Sequence, residues 1–260
     1  MVFMHKRTKG IVLKSTIFGE ADLIVTHLTR DFGVLQTFAK SPRKVKSRFG
    51  SSLEPLSYST ISFIGREDAN LPRLTQSDII MPFHSLRADF NCFIGISELL
   101  ELCLSFLPAG EAQVDVFDLL LATLLQLQSN CNHGLCCLYY KIRFLEIAGY
   151  SPRLDVCGRC GRTASGKGYR NFYISQGSIL CYKCVEIGNA SVSLSDSAIK
   201  VYKSLATWHA MALSRIRPPE DLLKELTHVI NSHINYILVK PLKSYSSRLL
   251  SGAEKKHRAH

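Results

Sequence analysis

Four cysteines are the residues whose type and spacing most directly indicate chemistry. They form two Cys-x-x-Cys pairs, Cys157/Cys160 and Cys181/Cys184, with twenty residues between the pairs. Each pair places two thiolates on one side of a tight turn, and two such turns complete a tetrahedral site of four sulfur ligands, which favours zinc. Because every ligand would be cysteine, we expect one structural Zn²⁺ without a reactive water. Two unrelated thiol pairs and a redox Cys-x-x-Cys are the alternatives, and no thioredoxin-like strand-to-helix pattern precedes either pair.

Positive charge is concentrated at the start of the chain. Residues 1–50 contain ten lysines and arginines against three acidic residues, whereas the whole chain has a net charge of +11. A short basic segment of this kind is typical of proteins that bind the phosphate backbone of nucleic acids. Part of it, 40–48, could be merely a solvated loop, but Phe38 and Phe49 flank it, as in a cationic groove with stacking aromatics. We predict that nucleic acid contacts eight side chains here: Lys9, Lys14, Arg30, Lys40, Arg43, Lys44, Lys46 and Arg48.

The basic segment belongs to a region that reads as β-structure. Residues 10–18, 22–29 and 32–40 are rich in β-branched side chains and are separated by short turns, which predicts an antiparallel meander. Two further strand patterns, 56–64 and 71–80, follow the basic connection. Five strands in about 80 residues favour a small closed barrel of the OB type over a sandwich, which usually has seven or more strands.

The pattern changes to helical periodicity after Met81. Apolar spacing and helix-start signals predict helices at 84–106, 111–129, 133–148, 195–213 and 219–238. We therefore predict an α+β protein with a five-stranded OB-fold barrel, helical central and C-terminal parts and a zinc-ribbon-like insert with four cysteines. The predicted boundaries are 1–81 for the barrel, 82–152 for the helical domain, 153–190 for the insert, 191–250 for the C-terminal helical part and 251–260 for a disordered tail.

Nothing in the sequence proposes catalysis. The acidic pairs Glu98/Glu101 and Asp115/Asp118 share helix faces, and we expect them to lie on solvated helix edges, as such pairs usually do. The common nucleophile, zinc-protease and nucleotide-loop motifs are absent. We predict that the protein is not an enzyme. No stretch reaches the ~18 uninterrupted apolar residues of a membrane helix, and the first residues lack a signal-peptide core, so we expect a cytoplasmic protein without a membrane partner.

Several motifs, in order along nearly the whole chain, resemble the RecO family of bacterial recombination-mediator proteins. The resemblance begins with Gly-Ile-Val-Leu at 10–13, Gly-Glu-x-Asp at 19–22, Leu-Thr-Arg-x-x-Gly at 28–33 and Lys-Ser-Arg-Phe-Gly at 46–50. It continues with GYSPRLDVCGRCG at 149–161, which resembles the first zinc knuckle of the family, and PLKSYSSRLL at 241–250.

The resemblance implies a specific function. RecO-like proteins have an OB domain, a helical body and often a zinc insert. They bind single- and double-stranded DNA and anneal complementary strands in recombination and the repair of DNA damage. With RecR they help to load RecA onto DNA coated by single-strand-binding protein, whose acidic C-terminal tail binds the helical part. The resemblance implies a nucleoid-associated protein of the bacterial cytoplasm. A competing hypothesis is a zinc-ribbon factor acting in transcription or on RNA, with the ribbon as its binding surface.

Overall fold

The computed structural model describes residues 4–43, 47–66, 69–129, 132–163, 169–185, 190–238 and 242. The chain divides into two compact units, with the boundary between Gln128 and Ser129. We call them unit 1 and unit 2. The finer domain boundaries at residues 81, 152, 190 and 250 stay predictions, and the tail 251–260 lies outside the described residues.

Unit 1 begins with a closed five-stranded barrel, which confirms the predicted OB-type fold. Its strands are β1 (Met4–Phe18), β2 (Asp22–Thr29), β3 (Gly33–Ala39), β4 (Tyr58–Gly65) and β5 (Arg73–Met81). The barrel order is β1-β2-β3-β5-β4, and all neighbours are antiparallel except β3 and β5, which pair in parallel at Phe38 and Arg73. β1 starts six residues earlier than predicted, and its early part pairs with β4.

Alternating side chains fill the barrel. Val12, Val25, Ile61 and Leu74 come from four strands and are buried together in its core. The connection from β3 to β4 contributes Phe49, which is 3% exposed and packs in the same core. Phe49 is therefore a core residue, although it adjoins the basic segment, and burying its ring contributes about 2–3 kcal/mol.

Three helices complete unit 1: α1 (His84–Ala88), α2 (Phe90–Phe106) and α3 (Val114–Gln128). The sequence predicted one continuous helix over 84–106, but Asp89 has extended backbone and its side chain accepts a hydrogen bond from the Cys92 N–H. This cap starts a new helix at Phe90. The expectation that Glu98 lies on a solvated helix edge is also wrong, because Glu98 is buried.

Unit 2 combines helices with a small sheet. Its helices are α4 (His133–Ile147), α5 (Asp196–Thr207) and α6 (Glu220–Leu238), and its strands are β6 (Tyr169–Tyr173), β7 (Ser178–Ile179) and β8 (Ser191–Ser195), in the order β7-β6-β8. Asn132 and Ser195 cap α4 and α5 with their side chains. α5 ends earlier than the predicted 195–213, and a 3₁₀ segment follows at 210–215. Across the described ranges, no helix has the length and apolar character needed to span a membrane.

Candidate metal centre and nucleic-acid interface

We call the turn at Cys157 and Cys160 the first knuckle and the turn at Cys181 and Cys184 the second knuckle. The four cysteines of the two knuckles lie around one point. Their sulfur atoms are all within 4.8 Å of one another, and the Sγ atoms of Cys160 and Cys181 are 3.6 Å apart. Tetrahedral zinc with Zn–S bonds of about 2.3 Å requires sulfur–sulfur distances of about 3.8 Å. The donor set and its spacing therefore fit a metal ion held by four thiolates, and the two pairs form one site.

Backbone hydrogen bonds position the two knuckles. In the first knuckle the Cys157 N–H donates to Arg162 O at 2.8 Å, and the Gly161 N–H donates to Cys157 O at 2.9 Å. In the second, the Cys184 N–H donates to Cys181 O at 2.9 Å. The Gly158 N–H donates to Ile179 O at 3.0 Å and joins the knuckles, and a Cβ at residue 158 would overlap the Ser178 hydroxyl. Glycine at 158 thus permits the close approach of the two turns.

Local hydrogen bonds make the Cys157 and Cys184 thiols unequal. A hydrogen bond from the Cys181 backbone N–H, with one from Cys160, lowers the pKa of Cys157 to about 6. The hydrogen bond with the Cys181 side chain raises the pKa of Cys184 to about 12. A metal that binds this set must displace protons, so its affinity falls as the pH falls.

The second knuckle also exposes an aromatic side chain. Tyr182 is 84% exposed, and the Lys183 ammonium lies 5.7 Å from the centroid of its ring. Arg159 and Arg162 of the first knuckle are exposed as well. The metal centre therefore carries a basic, partly aromatic surface of its own.

The cations predicted to bind nucleic acid fall into separate groups on the barrel. Arg30 precedes β3 and Lys40 follows it, and the seven residues of this strand span about 23 Å. Lys9 lies beside Arg30, because the Arg30 N–H donates to Lys9 O at 3.0 Å. Lys14 is exposed farther along β1, just after a bulge. Lys44 and Lys46 lie outside the described residues.

The Arg30 guanidinium is held by an acidic residue of α3. Its Nη2 lies 3.1 Å from Asp118 Oδ2 and its Nε lies 3.3 Å from Asp118 Oδ1, so the pair is bidentate. The two side chains remain 46% and 52% exposed. A phosphate that approached Arg30 would compete with the Asp118 carboxylate.

Three cations in the connection from β3 to β4 have no such acidic partner. Lys40, Arg43 and Arg48, which we call the connection cations, are exposed and make no ion pair with any residue in the ranges given above. Arg43 donates to the Glu20 carbonyl at 3.1 Å, and the Asp22 carboxylate accepts from the Ser41 N–H at 2.6 Å, so the connection folds back onto the β1–β2 turn. The Arg48 guanidinium lies 5.0 Å from the centroid of the Phe49 ring.

Two residues near this group were not identified from the sequence. Phe18 contacts Phe38 on the outside of the barrel, and Arg73 pairs with Phe38 across β3 and β5. Both relationships depend on strand register between segments far apart in the chain. The alternation of residues within a single strand does not predict these two contacts.

Comparisons with known proteins cover almost the whole chain. A family model described as Recombination protein O N terminal matches residues 4–83, and one described as Recombination protein O C terminal matches residues 87–246. The chain is similar to the DNA repair protein RecO of Thermodesulfovibrio yellowstonii, with 43% identity over 90% of this chain and 94% of the relative. It is 32% identical to a RecO of Dehalococcoides mccartyi over 92% of each chain. It is also 32% identical to a RecO of a Nocardioides species, over 93% of this chain and 98% of the relative.

Proposed function

The chain belongs to the RecO family of DNA repair proteins, and on that premise we propose that it is a non-enzymatic recombination mediator. In this proposal it binds single- and double-stranded DNA through the barrel and anneals complementary strands. With RecR it promotes RecA loading on DNA coated by single-strand-binding protein. The observation that carries the proposal is the group of connection cations, which are exposed and not neutralised by the described acidic residues.

Annealing by such a surface requires only electrostatics. Two complementary strands repel each other through their phosphates, and cations that neutralise phosphates lower this repulsion and release condensed counterions. Phosphate contacts carry little sequence information, which suits a protein that acts on any pair of strands. No covalent bond is made or broken, so the activity needs no catalytic residue.

For the metal centre we propose one zinc ion held by Cys157, Cys160, Cys181 and Cys184. The support is chemical, because four soft sulfur ligands at this spacing favour thiophilic metals, and zinc is the usual ion of closed four-cysteine sites. The ion would supply a cross-link between the two knuckles. Its role would be structural, since the four thiolates complete its coordination.

A cleft in unit 2 is our candidate for the tail of single-strand-binding protein. It has a volume of about 500 Å³ and lies between the start of α4 and one face of α6. Leu223 offers an apolar wall and Lys224 a cation, although Lys224 also pairs with Glu220 at 2.9 Å. Behind the cleft, the buried Lys141 ammonium donates to Asn231 Oδ1 at 2.8 Å. An acidic peptide with apolar side chains suits such a cleft.

Partner binding can be tested with a tail-deleted single-strand-binding protein. Deletion should weaken its binding to this protein, and Lys224→Glu should weaken binding of the intact partner more than Lys200→Glu on α5 does. Unchanged binding after tail deletion at moderate salt would contradict the proposal for the tail. Unchanged binding by Lys224→Glu alone would place the tail elsewhere on the protein.

The whole function can be tested by annealing. Complementary strands coated with single-strand-binding protein should anneal faster when this protein is added, and added RecR should permit RecA loading on the coated strand. A variant with Lys40, Arg43 and Arg48 changed to Glu should lose annealing. If the coated strands annealed no faster with the wild-type protein than without it, the proposal would be contradicted.

A second candidate function has one specific observation in its favour. Tyr182 and Lys183 expose an aromatic ring and a cation at the tip of a knuckle, which is a suitable surface for a nucleic acid. A zinc-ribbon factor acting on RNA or in transcription would use that surface. In that case Tyr182→Ala with Lys183→Ala would abolish binding, and charge reversal of the connection cations would spare it.

A further inference from the structure

One row of side chains crosses the outside of the barrel over four neighbouring strands. Strand register places these residues opposite one another in the order Thr16, Ile24, Phe38 and Arg73. Their chain neighbours Val25, Ala39 and Leu74 point into the barrel core, so the row faces outward.

An aromatic pair, Phe18 and Phe38, spans this outer face from β1 to β3. Phe18 lies two residues beyond Thr16 on β1, and its ring centroid is 6.0 Å from that of Phe38 with the planes perpendicular. Phe18 is 54% exposed, so much of its ring surface faces solvent. The adjacent Ile17 is 62% exposed, but side chains alternate along a strand, so it points away from this row and is not part of the pair. Large apolar side chains gathered at an exposed site mark an interaction surface.

Basic residues border this aromatic pair on several sides. Arg73 is exposed at the end of the row, and Lys14 is exposed farther back along β1. Lys40 and Arg43 lie in the connection that leaves β3 just after Phe38, and Arg43 is bonded to the turn that follows Phe18. The Phe38 N–H donates to Pro72 O at 2.9 Å, so the pair lies between the β1–β2 turn and the β4–β5 connection. These are the elements through which OB-type barrels contact oligonucleotides.

We propose that Phe18 and Phe38 form a stacking site for the bases of single-stranded DNA. In this arrangement Arg73, Lys14 and the nearby connection cations contact the phosphates on either side. The inference rests on the proposed function, because it specifies how the barrel would hold a single strand. The alternating apolar rings and cations match an unpaired strand, which offers flat bases and anionic phosphates together. A duplex stacks its bases internally and should not use the site.

The test is a double-mutant cycle between Phe18 and the bases of the strand. Binding is measured for an ordinary oligonucleotide and for one of equal length whose central nucleotides lack bases, so that both carry the same phosphates. Phe18→Ala should weaken binding of the ordinary strand by about 5-fold or more, since stacking on an aromatic ring contributes at least this much. It should leave binding of the abasic strand unchanged. The dependence on salt should stay as in the wild type, because no phosphate contact is lost.

Two further variants serve as matched controls. Ile17→Ala removes an equally exposed apolar side chain from the same strand without removing a ring, and it should leave both affinities unchanged. Phe18→Trp keeps a stacking ring and should retain the affinity for the ordinary strand. Far-UV circular dichroism and thermal unfolding show whether each variant keeps its fold.

The outcomes separate this inference from the function on which it rests. Equal weakening of both strands by Phe18→Ala, or no weakening of either, would overturn the stacking site while leaving barrel binding intact. Loss of a protein partner without loss of base-dependent affinity would also overturn it and assign the patch to that partner. Failure of the wild-type protein to bind either strand would overturn the proposed function, and the stacking site with it.

Discussion

Replacing Asp118 with Asn tests whether Arg30 contacts DNA. The bidentate pair occupies the Arg30 guanidinium, and the neutral amide would release it for a phosphate. One additional phosphate contact steepens the log–log dependence of single-strand affinity on salt by about 0.7. Because both side chains are about half exposed, the loss of the pair should change the melting temperature little. Fluorescence titrations of a labelled oligonucleotide at four or five salt concentrations measure the slope.

The control is Asp115→Asn, one helical turn away on α3. It removes the same charge from the same helix, and Asp115 has no ion pair with a residue whose position is described. Asp118→Asn should steepen the slope more than Asp115→Asn does, and it should have no effect in an Arg30→Ala background. Equal slopes for the two single variants would refute the reasoning and show that only net charge matters.

Three other predictions concern the metal, acid stability and a helix cap. Protein purified without chelators should contain one zinc per chain by elemental analysis, and Cys181→Ser should remove it and open 153–185 to proteolysis while the barrel stays folded; absence of metal would contradict this. Burial lowers the pKa of His27 from 6.5 to about 4, so between these pH values the unfolded state binds a proton that the folded state does not bind. The free energy of unfolding should therefore fall by roughly 3 kcal/mol as the pH drops through this window. Urea titrations at pH 7 and pH 4 measure this loss, which should be much smaller in His27→Leu; an equal loss in both proteins would assign it to other groups. Asp89→Ala should lower the free energy of unfolding by about 1 kcal/mol, because it removes a helix cap, whereas Asn91→Ala at an exposed position should lower it much less. Equal losses in the two variants would show that the Asp89 cap does not stabilise the helix.

The elements of this protein follow closely from local sequence patterns. The barrel strands were predicted because β-branched residues alternate between short turns, and this pattern depends only on neighbours along the chain. The knuckles were predicted for a similar reason, because the spacing within each Cys-x-x-Cys pair is itself the signature of a metal site. The break at Asp89 was missed because apolar periodicity continues across it, whereas the cap depends on one side-chain hydrogen bond.

The arrangement of the site depends on contacts that sequence patterns do not report. The sequence placed Phe49 beside the basic segment, but packing places its ring in the barrel core. The sequence assigned Arg30 to the nucleic-acid contacts, yet α3 brings Asp118 to it from 88 residues away. Burial of Glu98 and the pairing of Phe38 with Arg73 are likewise consequences of packing and register. The candidate residues were therefore identifiable from the sequence, whereas the residues that they contact were known only from the folded chain.

The central claim is that the barrel binds DNA through its basic surface, and the salt dependence of a triple variant tests it most directly. Changing Lys40, Arg43 and Arg48 to Ala should flatten the log–log salt slope for single-stranded DNA by about 2, at ~0.7 per phosphate contact. A control with Lys200, Lys203 and Arg215 changed to Ala removes the same charge from exposed positions of unit 2 and should keep the wild-type slope. A wild-type slope in the barrel variant, or an equal loss in the control, would contradict the account and move the binding surface away from the barrel.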